Sequence, residues 1–219
     1  AYRVINEIGG KTETNLSKCG KAMLIYSILN NNKKELKFLG KTDENVDMAE
    51  TAITEFKKHA ISVEQLKQEM EKQEDIYLKN KLKDMCTIYE NFEAQLSGKY
   101  IDETDLLTIL AENIEKTDMF KNLLIYVDEF AGFTSQEYEI IKKLVQTSKQ
   151  VTVTICTDEI HDAKNPDADI FYSNERTVKK LLEVAKDCNT KVEEVKLENT
   201  YRFKNKELMH LEQNLYNNK

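Results

Sequence analysis

The residues best placed by type and spacing to do chemistry are two adjacent carboxylates, Asp128 and Glu129, directly behind the apolar run Leu123-Leu124-Ile125-Tyr126-Val127. Such a run reads as a strand buried on both sides, and in open α/β sheets ligands bind beyond the carboxyl ends of the strands. An acidic pair delivered there suits a nucleoside triphosphate. The first carboxylate, Asp128, would hold Mg²⁺ through its water shell and the second, Glu129, would polarise the attacking water, the Walker B arrangement. The same two residues also read as solvated acids in a strand-to-helix turn. The pattern alone does not choose between these readings.

Other chemical groupings are empty. Gly10-Lys11-Thr12 imitates the end of a phosphate loop, G-x-x-x-x-G-K-T, but Ile5 stands where the first glycine belongs. Too little chain precedes it for the feeding strand, and without the flexible loop the backbone amides cannot wrap a phosphate, so the segment is a decoy. His59, His161 and His210 lie far apart without zinc spacing and read as surface or packing residues. Cys19, Cys86, Cys156 and Cys188 form no CxxC pair and read as incidental thiols of a reducing compartment. Lys79, Lys81 and Lys83 cluster in sequence, but on a helix Lys81 points away from the other two, and solvated surface is the better reading than a phosphate track.

One proline and six glycines in 219 residues imply long helices and short turns. The first half reads as helix nearly throughout. Apolar residues at helical spacing mark helices over 14–31, over 43–60 behind a cap at Asp43, and over 74–97, and an S-x-x-Q capping box at Ser62 and Gln65 opens another. The second half alternates. After the strand at 123–127, Thr134 and Glu137 make a capping box for a helix to about 148. The β-branched segment 150–156 reads as a second strand, followed by a helix over 173–188, a third strand at 191–197 and a last helix from about 204. This order predicts an α/β protein: a parallel sheet with right-handed crossovers and helices on both faces, preceded by a helical region.

With 39 acidic and 32 basic side chains the formal charge is −7, while 40% of residues are hydrophobic and 32% charged. That balance fits a soluble globular protein and opposes a simple basic DNA-binding module, leaving room for a local patch. No apolar run approaches the ~20 residues of a membrane span, and no basic start precedes an apolar stretch as in a secretory signal. The expected location is the cytoplasm, with no membrane partner.

Four segments in order resemble a superfamily 1 DNA helicase motor domain. Tyr89-Glu90-Asn91-Phe92 through Tyr100-Ile101-Asp102-Glu103-Thr104-Asp105-Leu106-Leu107 is similar to the Y…Y-x-D-x-x-D-L-L segment before the second motif. Asp128-Glu129-Phe130 stands at D-E-x-Q-D, Thr157-Asp158 at the Gly-Asp of the third motif, and Leu197-Glu198-Asn199-Thr200-Tyr201-Arg202-Phe203 at L-x-x-N-Y-R-S of the fourth. A closer resemblance, over essentially the whole chain, is to the B-subunit family of the bacterial AddAB (RexAB-type) helicase–exonucleases. It is carried by Arg3-Val4-Ile5-Asn6-Glu7-Ile8-Gly9-Gly10, by Phe130-Ala131-Gly132-Phe133-Thr134-Ser135-Gln136-Glu137, and by Arg202-Phe203-Lys204-Asn205 with Glu207-Leu208 and His210-Leu211-Glu212.

The resemblance implies an internal N-terminal fragment: residues 1–29 and 101–219 as part of a P-loop (RecA-like, superfamily 1 domain 1A) motor layer that lacks its phosphate-loop strand, and 30–100 as a helical insertion (1B-like). It implies a B subunit that joins an A subunit, engages double-strand DNA ends and single strands, and degrades one strand 5′ to 3′ for recombinational repair at the bacterial nucleoid. ATP, Mg²⁺ and a 4Fe–4S cluster serve the intact protein; the fragment itself is expected to hold no cofactor and to be an inactive scaffold. In the family the fourth-motif Arg, here Arg202, contacts phosphate, and Asp158 at the third motif is a weaker candidate for cofactor binding; Arg202 reads equally as an ion pair at the start of the last helix. Ala131-Gly132 replace the family's Gln-Asp, and only His161, if anything, matches the third-motif glutamine, so Asp128 and Glu129 read either as relics of an ATPase site in a scaffold or as a weak nucleotide site of the intact subunit. A different class of reading, an α/β interaction module without a nucleic-acid role, draws on the acidic charge and the incomplete phosphate loop.

Overall fold

A computed structural model describes residues 1–8, 13–39, 45–157, 170–197 and 203–214. It is an α/β protein, mostly helical, with two small parallel sheets. After a short helix α1 (Tyr2–Glu7), the strand β1 (Thr14–Asn15) pairs in parallel with β2 (Tyr100–Ile101), closing a long loop in sequence. This pairing shortens the helix expected over 14–31. The helix α2 runs Lys18–Asn31 and begins where Ser17 Oγ accepts the amide of Gly20 at 3.1 Å, because residues before the cap are committed to the strand.

Three more helices complete this half: α3 (Asn45–Lys58), α4 (Val63–Glu71) and α5 (Ile76–Leu96). The capping box at α4 is reciprocal, Gln65 N–H donating to Ser62 Oγ at 3.2 Å and Ser62 N–H to Gln65 Oε1 at 2.9 Å. Asp75 opens α5 by accepting from the amides of Tyr77 and Leu78. The cap expected at Asp43 lies outside the described residues. Ile25, Ile28, Ile53, Ile88 and Phe92 are all but sealed from solvent and form the centre of one apolar cluster drawn from all four helices. Each such side chain stabilises the fold by roughly 1.5–3 kcal/mol. One carboxylate belongs to this core: Asp84, 3% exposed, accepts from the amides of Lys37, Phe38 and Leu39 at 3.1, 2.7 and 3.1 Å. A buried charge is tolerated when its lone pairs are filled, and here it stitches the loop after α2 onto α5.

The second half contains α6 (Asp105–Asn113), a 3-10 turn (Ile114–Lys116), β3 (Leu124–Val127), α7 (Ser135–Thr147), β4 (Gln150–Val153), α8 (Tyr172–Asp187) and α9 (Lys206–Asn214). β3 and β4 pair in parallel, Leu124 opposite Gln150 through Val127 opposite Val153, with α7 as the crossover. Two expectations are corrected here. β3 is not buried on both sides: Leu124 is 50% and Tyr126 68% exposed, and nothing among the described residues covers that face. The segment 191–197 is not a strand. It runs without a ladder, with Val195 79% and Leu197 88% exposed. β-branched residues favour a pleated surface only when a neighbouring strand offers the ladder, and none among the described residues does. β4 likewise stops at Val153 rather than Cys156.

Candidate functional site at the carboxyl ends of β3 and β4

The acidic pair stands where the sequence placed it, at the carboxyl end of β3. Asp128 is exposed and accepts a hydrogen bond from Thr154 Oγ1, the residue after β4, so a hydroxyl from the neighbouring strand orients the carboxylate. Glu129 is also exposed and has φ +66°, a left-handed conformation that costs a non-glycine residue on the order of 1 kcal/mol. The chain turns sharply there. The loop that follows is held by Thr177 of α8, whose Oγ1 donates to Ala131 O at 3.0 Å. A Cβ at Gly132 would sit 3.4 Å from that same hydroxyl, at contact distance. Thr134 and Glu137 form the expected reciprocal box and start α7.

This loop also carries an aromatic stack that the sequence pattern alone did not reveal. Phe130, 46% exposed, lies on Phe133 with ring centroids 5.3 Å apart and planes 24° apart. Phe133 meets Tyr138 of α7 edge-on at 5.5 Å. Lys180 of α8 places its ammonium 4.2 Å from the Tyr138 ring centroid, and Arg176, one turn back, leans over Tyr172. Both cations reach solvent. Burial pushes the Tyr138 hydroxyl up, against the hydrogen bond with Thr177 and the charge of Arg176. The available signal was the F-x-x-F spacing immediately behind the acids. Behind β4, Asn174 of α8 donates to Cys156 O at 2.6 Å, and the buried Oγ1 of Thr157 has no hydrogen-bond partner among the described residues.

A second polar assembly, deeper in the molecule, is structural. Asp102, at 3% exposure, accepts from Lys21 Nζ at 2.7 Å and Thr104 Oγ1 at 2.6 Å. Lys57 reaches Asp105 at 2.7 Å and Glu93 at 2.8 Å. The two lysines lie 5.6 and 5.3 Å from the Phe92 ring centroid. Burial alone would lower the Lys57 pKa, but Asp105 and Glu93 outweigh it and the result is raised. Burial likewise opposes ionisation of Asp102, and the hydrogen bonds from Lys21 and Thr104, with the charges of Lys21 and Lys57, hold it below the ordinary carboxylate range. The Y-x-D-x-x-D segment thus joins α2, α3 and α5 to the start of α6.

Asp158, Arg202, His161 and the Gly10-Lys11-Thr12 segment lie outside the described residues. His59 is exposed beside Glu55, and His210 is exposed on α9. Lys79 pairs with Glu71 at 2.8 Å, while Lys81 and Lys83 are at the surface. Among the described residues no three His, Cys, Asp or Glu side chains are grouped to hold a metal directly, and all four cysteines are free. They do not fit an iron–sulfur cluster. Asp128 with Thr154 offers oxygen donors of the kind Mg²⁺ accepts through its water shell. No described helix is long and apolar enough to cross a membrane.

Comparison with known proteins gives a consistent picture. The family model described as "ADDB, N-terminal" matches residues 1–212. The B subunit of the ATP-dependent helicase/deoxyribonuclease of Clostridium botulinum is 38% identical over 224 residues, that of Clostridium tetani 40% over 227, and that of Caldanaerobacter subterraneus 38% over 223. Each alignment takes in 99% of this chain and 19–20% of the relative, so the chain spans about a fifth of the length of the curated relatives it matches.

Proposed function

We propose, because the chain belongs to the ADDB N-terminal family, that it is the N-terminal part of a B subunit of a bacterial ATP-dependent helicase–deoxyribonuclease that prepares double-strand DNA ends for recombinational repair. In this reading residues 1–29 and 101–219 contribute to a RecA-like layer, 30–100 form its helical insertion, and the intact protein joins an A subunit in the cytoplasm. The iron–sulfur cluster is held by parts of the complex other than these residues. Asp128, with Asp158 and Arg202, is retained from a nucleotide site, and Asp128 would hold Mg²⁺ through water if nucleotide occupies the intact protein.

The role of this region is to contact single-stranded DNA. The observation that carries the reading is the exposed Phe130–Phe133 stack at the strand ends, beside Lys180 and Arg176 of α8. Every base has a π-face, so an aromatic surface next to cations binds single strands without reading sequence. The stack takes the base, and the α8 cations take the phosphates. The carboxylates of Asp128 and Glu129 repel phosphate and so confine the backbone to the α8 side. This resolves the conflict between an overall charge of −7 and a DNA partner, since the contact is local.

Fluorescence anisotropy with a labelled oligothymidine tests the proposal in the full-length protein with its partner. Phe130→Ala weakens binding about 5- to 100-fold if one base stacks there. The remaining affinity falls steeply with added salt, as counterion release requires. Unchanged affinity on Phe130→Ala together with salt-independent binding would favour a protein-interaction module instead. The 219-residue chain alone hydrolyses neither ATP nor DNA; an ATPase rate abolished by Asp128→Asn would overturn the scaffold assignment.

A further inference from the structure

The loop between β3 and α7 carries the aromatic stack, yet its own backbone does little to hold it. Among the described residues no main-chain hydrogen bond ties residues 129–133 to another main-chain group. At the far end Thr134 and Glu137 fasten the loop to α7. In its middle, the side-chain hydrogen bond found among the described residues runs from Thr177 Oγ1 of α8 to Ala131 O at 3.0 Å. Ala131 lies between the two stacked rings, Phe130 and Phe133. The Tyr138 hydroxyl hydrogen-bonds the same Thr177, and the Tyr138 ring meets Phe133 edge-on. A single hydroxyl thus touches the stack twice, through its loop and through its supporting ring. Thr177 itself is buried, whereas Arg176 beside it and Lys180 one turn on reach solvent. The helix that fixes the stack is therefore the helix that carries the cations.

We propose that Thr177 is a positioning residue: its hydroxyl holds the Phe130 ring in register with the α8 cations, so that a base and its neighbouring phosphate are met together. This inference rests on the single-strand contact proposed above and assigns the group that sets its geometry. Two subsites on one rigid frame act on a ligand as a unit, because the second contact is intramolecular once the first has formed. Without the frame, ordering the loop is an added cost of binding. The hydroxyl is suited to hold the loop without locking it. Its one proton has a second acceptor within reach, Ser173 O at 3.1 Å, one turn back on α8. Releasing Ala131 therefore leaves no buried donor unpaired, and the loop can yield to admit a strand.

Anisotropy with labelled oligothymidine on the full-length protein with its partner tests the inference, comparing Thr177→Val with Thr177→Ser. Thr177→Val keeps the shape, removes the bond and weakens binding about 3- to 10-fold, the worth of one net hydrogen bond. Thr177→Ser keeps the hydroxyl and stays within about 2-fold of the parent. In the Phe130→Ala background Thr177→Val costs nothing further, an outcome that a merely structural role would not produce. A second readout needs no DNA. Chymotrypsin, followed by peptide mass, cuts after Phe130 about 3- to 10-fold faster in Thr177→Val than in the parent or Thr177→Ser, because cleavage tracks the population of released loop. If Thr177→Val abolishes the thermal unfolding transition, Thr177→Cys, whose thiol is a weak donor, replaces it with the same expectations. Equal cleavage overturns the inference, and so does an equal loss of affinity with and without Phe130. Full sensitivity to Phe130→Ala with none to Thr177→Val overturns it while leaving the DNA contact standing. Unchanged affinity on Phe130→Ala instead sinks the DNA contact, and the role given to Thr177 falls with it.

Discussion

The four helices α2 to α5 and the strand pair β3–β4 both contain apolar sequence, yet they end in opposite states. The helices close a core around Phe92 and the central isoleucines, while β3 leaves half its side chains in water. The difference lies in the backbone. A helix satisfies its own hydrogen bonds and needs only a neighbour for one stripe, which three other helices of the same segment supply. A parallel strand needs partners on both edges and cover on both faces, and these come from distant sequence. Among the described residues the helical half therefore closes its own core, and the strand pair does not.

The sharpest way to break this contrast is at its centre. Phe92→Ala should destabilise the chain by about 3–5 kcal/mol, the range for a truncated core aromatic, and denaturant unfolding measures it. Lys57→Met tests the ionic seam. It leaves Asp105 and Glu93 without their cation and should cost about 1–3 kcal/mol, less than a fully buried pair, because both carboxylates reach water and are partly screened. Tyr126→Thr on the bare face of β3 should stay within ~0.5 kcal/mol, as surface substitutions do. Losses at Tyr126 comparable to those at Phe92 would mean that the β3 face is covered after all.

A pH titration of stability sharpens the same seam. The Asp102 pKa is depressed in the folded protein. Its contribution is therefore present above the ordinary carboxylate range and is lost as pH falls through the depressed value, giving an acid limb that Asp102→Asn removes. The Lys57 pKa is raised, so its contribution is complete at neutral pH and fades only as pH climbs through that raised value. The smallest net effect is local. Glu129→Gly relieves the left-handed φ of +66° and should stabilise the turn by at most about 1 kcal/mol, offset in part by the added freedom of glycine when unfolded.

Much of the fold was legible because it is written in local chemistry. Ser62 with Gln65 and Thr134 with Glu137 start helices where the capping pattern says they must, since both partners lie within one turn. The apolar run before Asp128 does form a strand, and its acids do emerge at the carboxyl end. The departures share a cause. Residues 191–197 have strand composition but no neighbour among the described residues, and Thr14–Asn15 left the expected helix because Tyr100–Ile101 offered a ladder. Both outcomes turn on pairing across distance. The Phe130 stack was hidden for a related reason: the F-x-x-F spacing does not say whether its first ring is buried, and the structure leaves Phe130 46% exposed.

What the amino-acid order determined alone is most of the helices, the two capping boxes at Ser62 and Thr134, the β3 and β4 segments and the family, because these depend on neighbours three or four positions away or on residue identity. What only the tertiary structure decided is which polar groups go inside and which apolar ones stay out. Nothing local marks Lys21, Lys57 and Asp102 for burial, or Met23, Tyr26 and Tyr126 for exposure. A charge is buried when an opposite charge from a remote segment arrives to meet it, and an apolar side chain stays wet when no remote segment does.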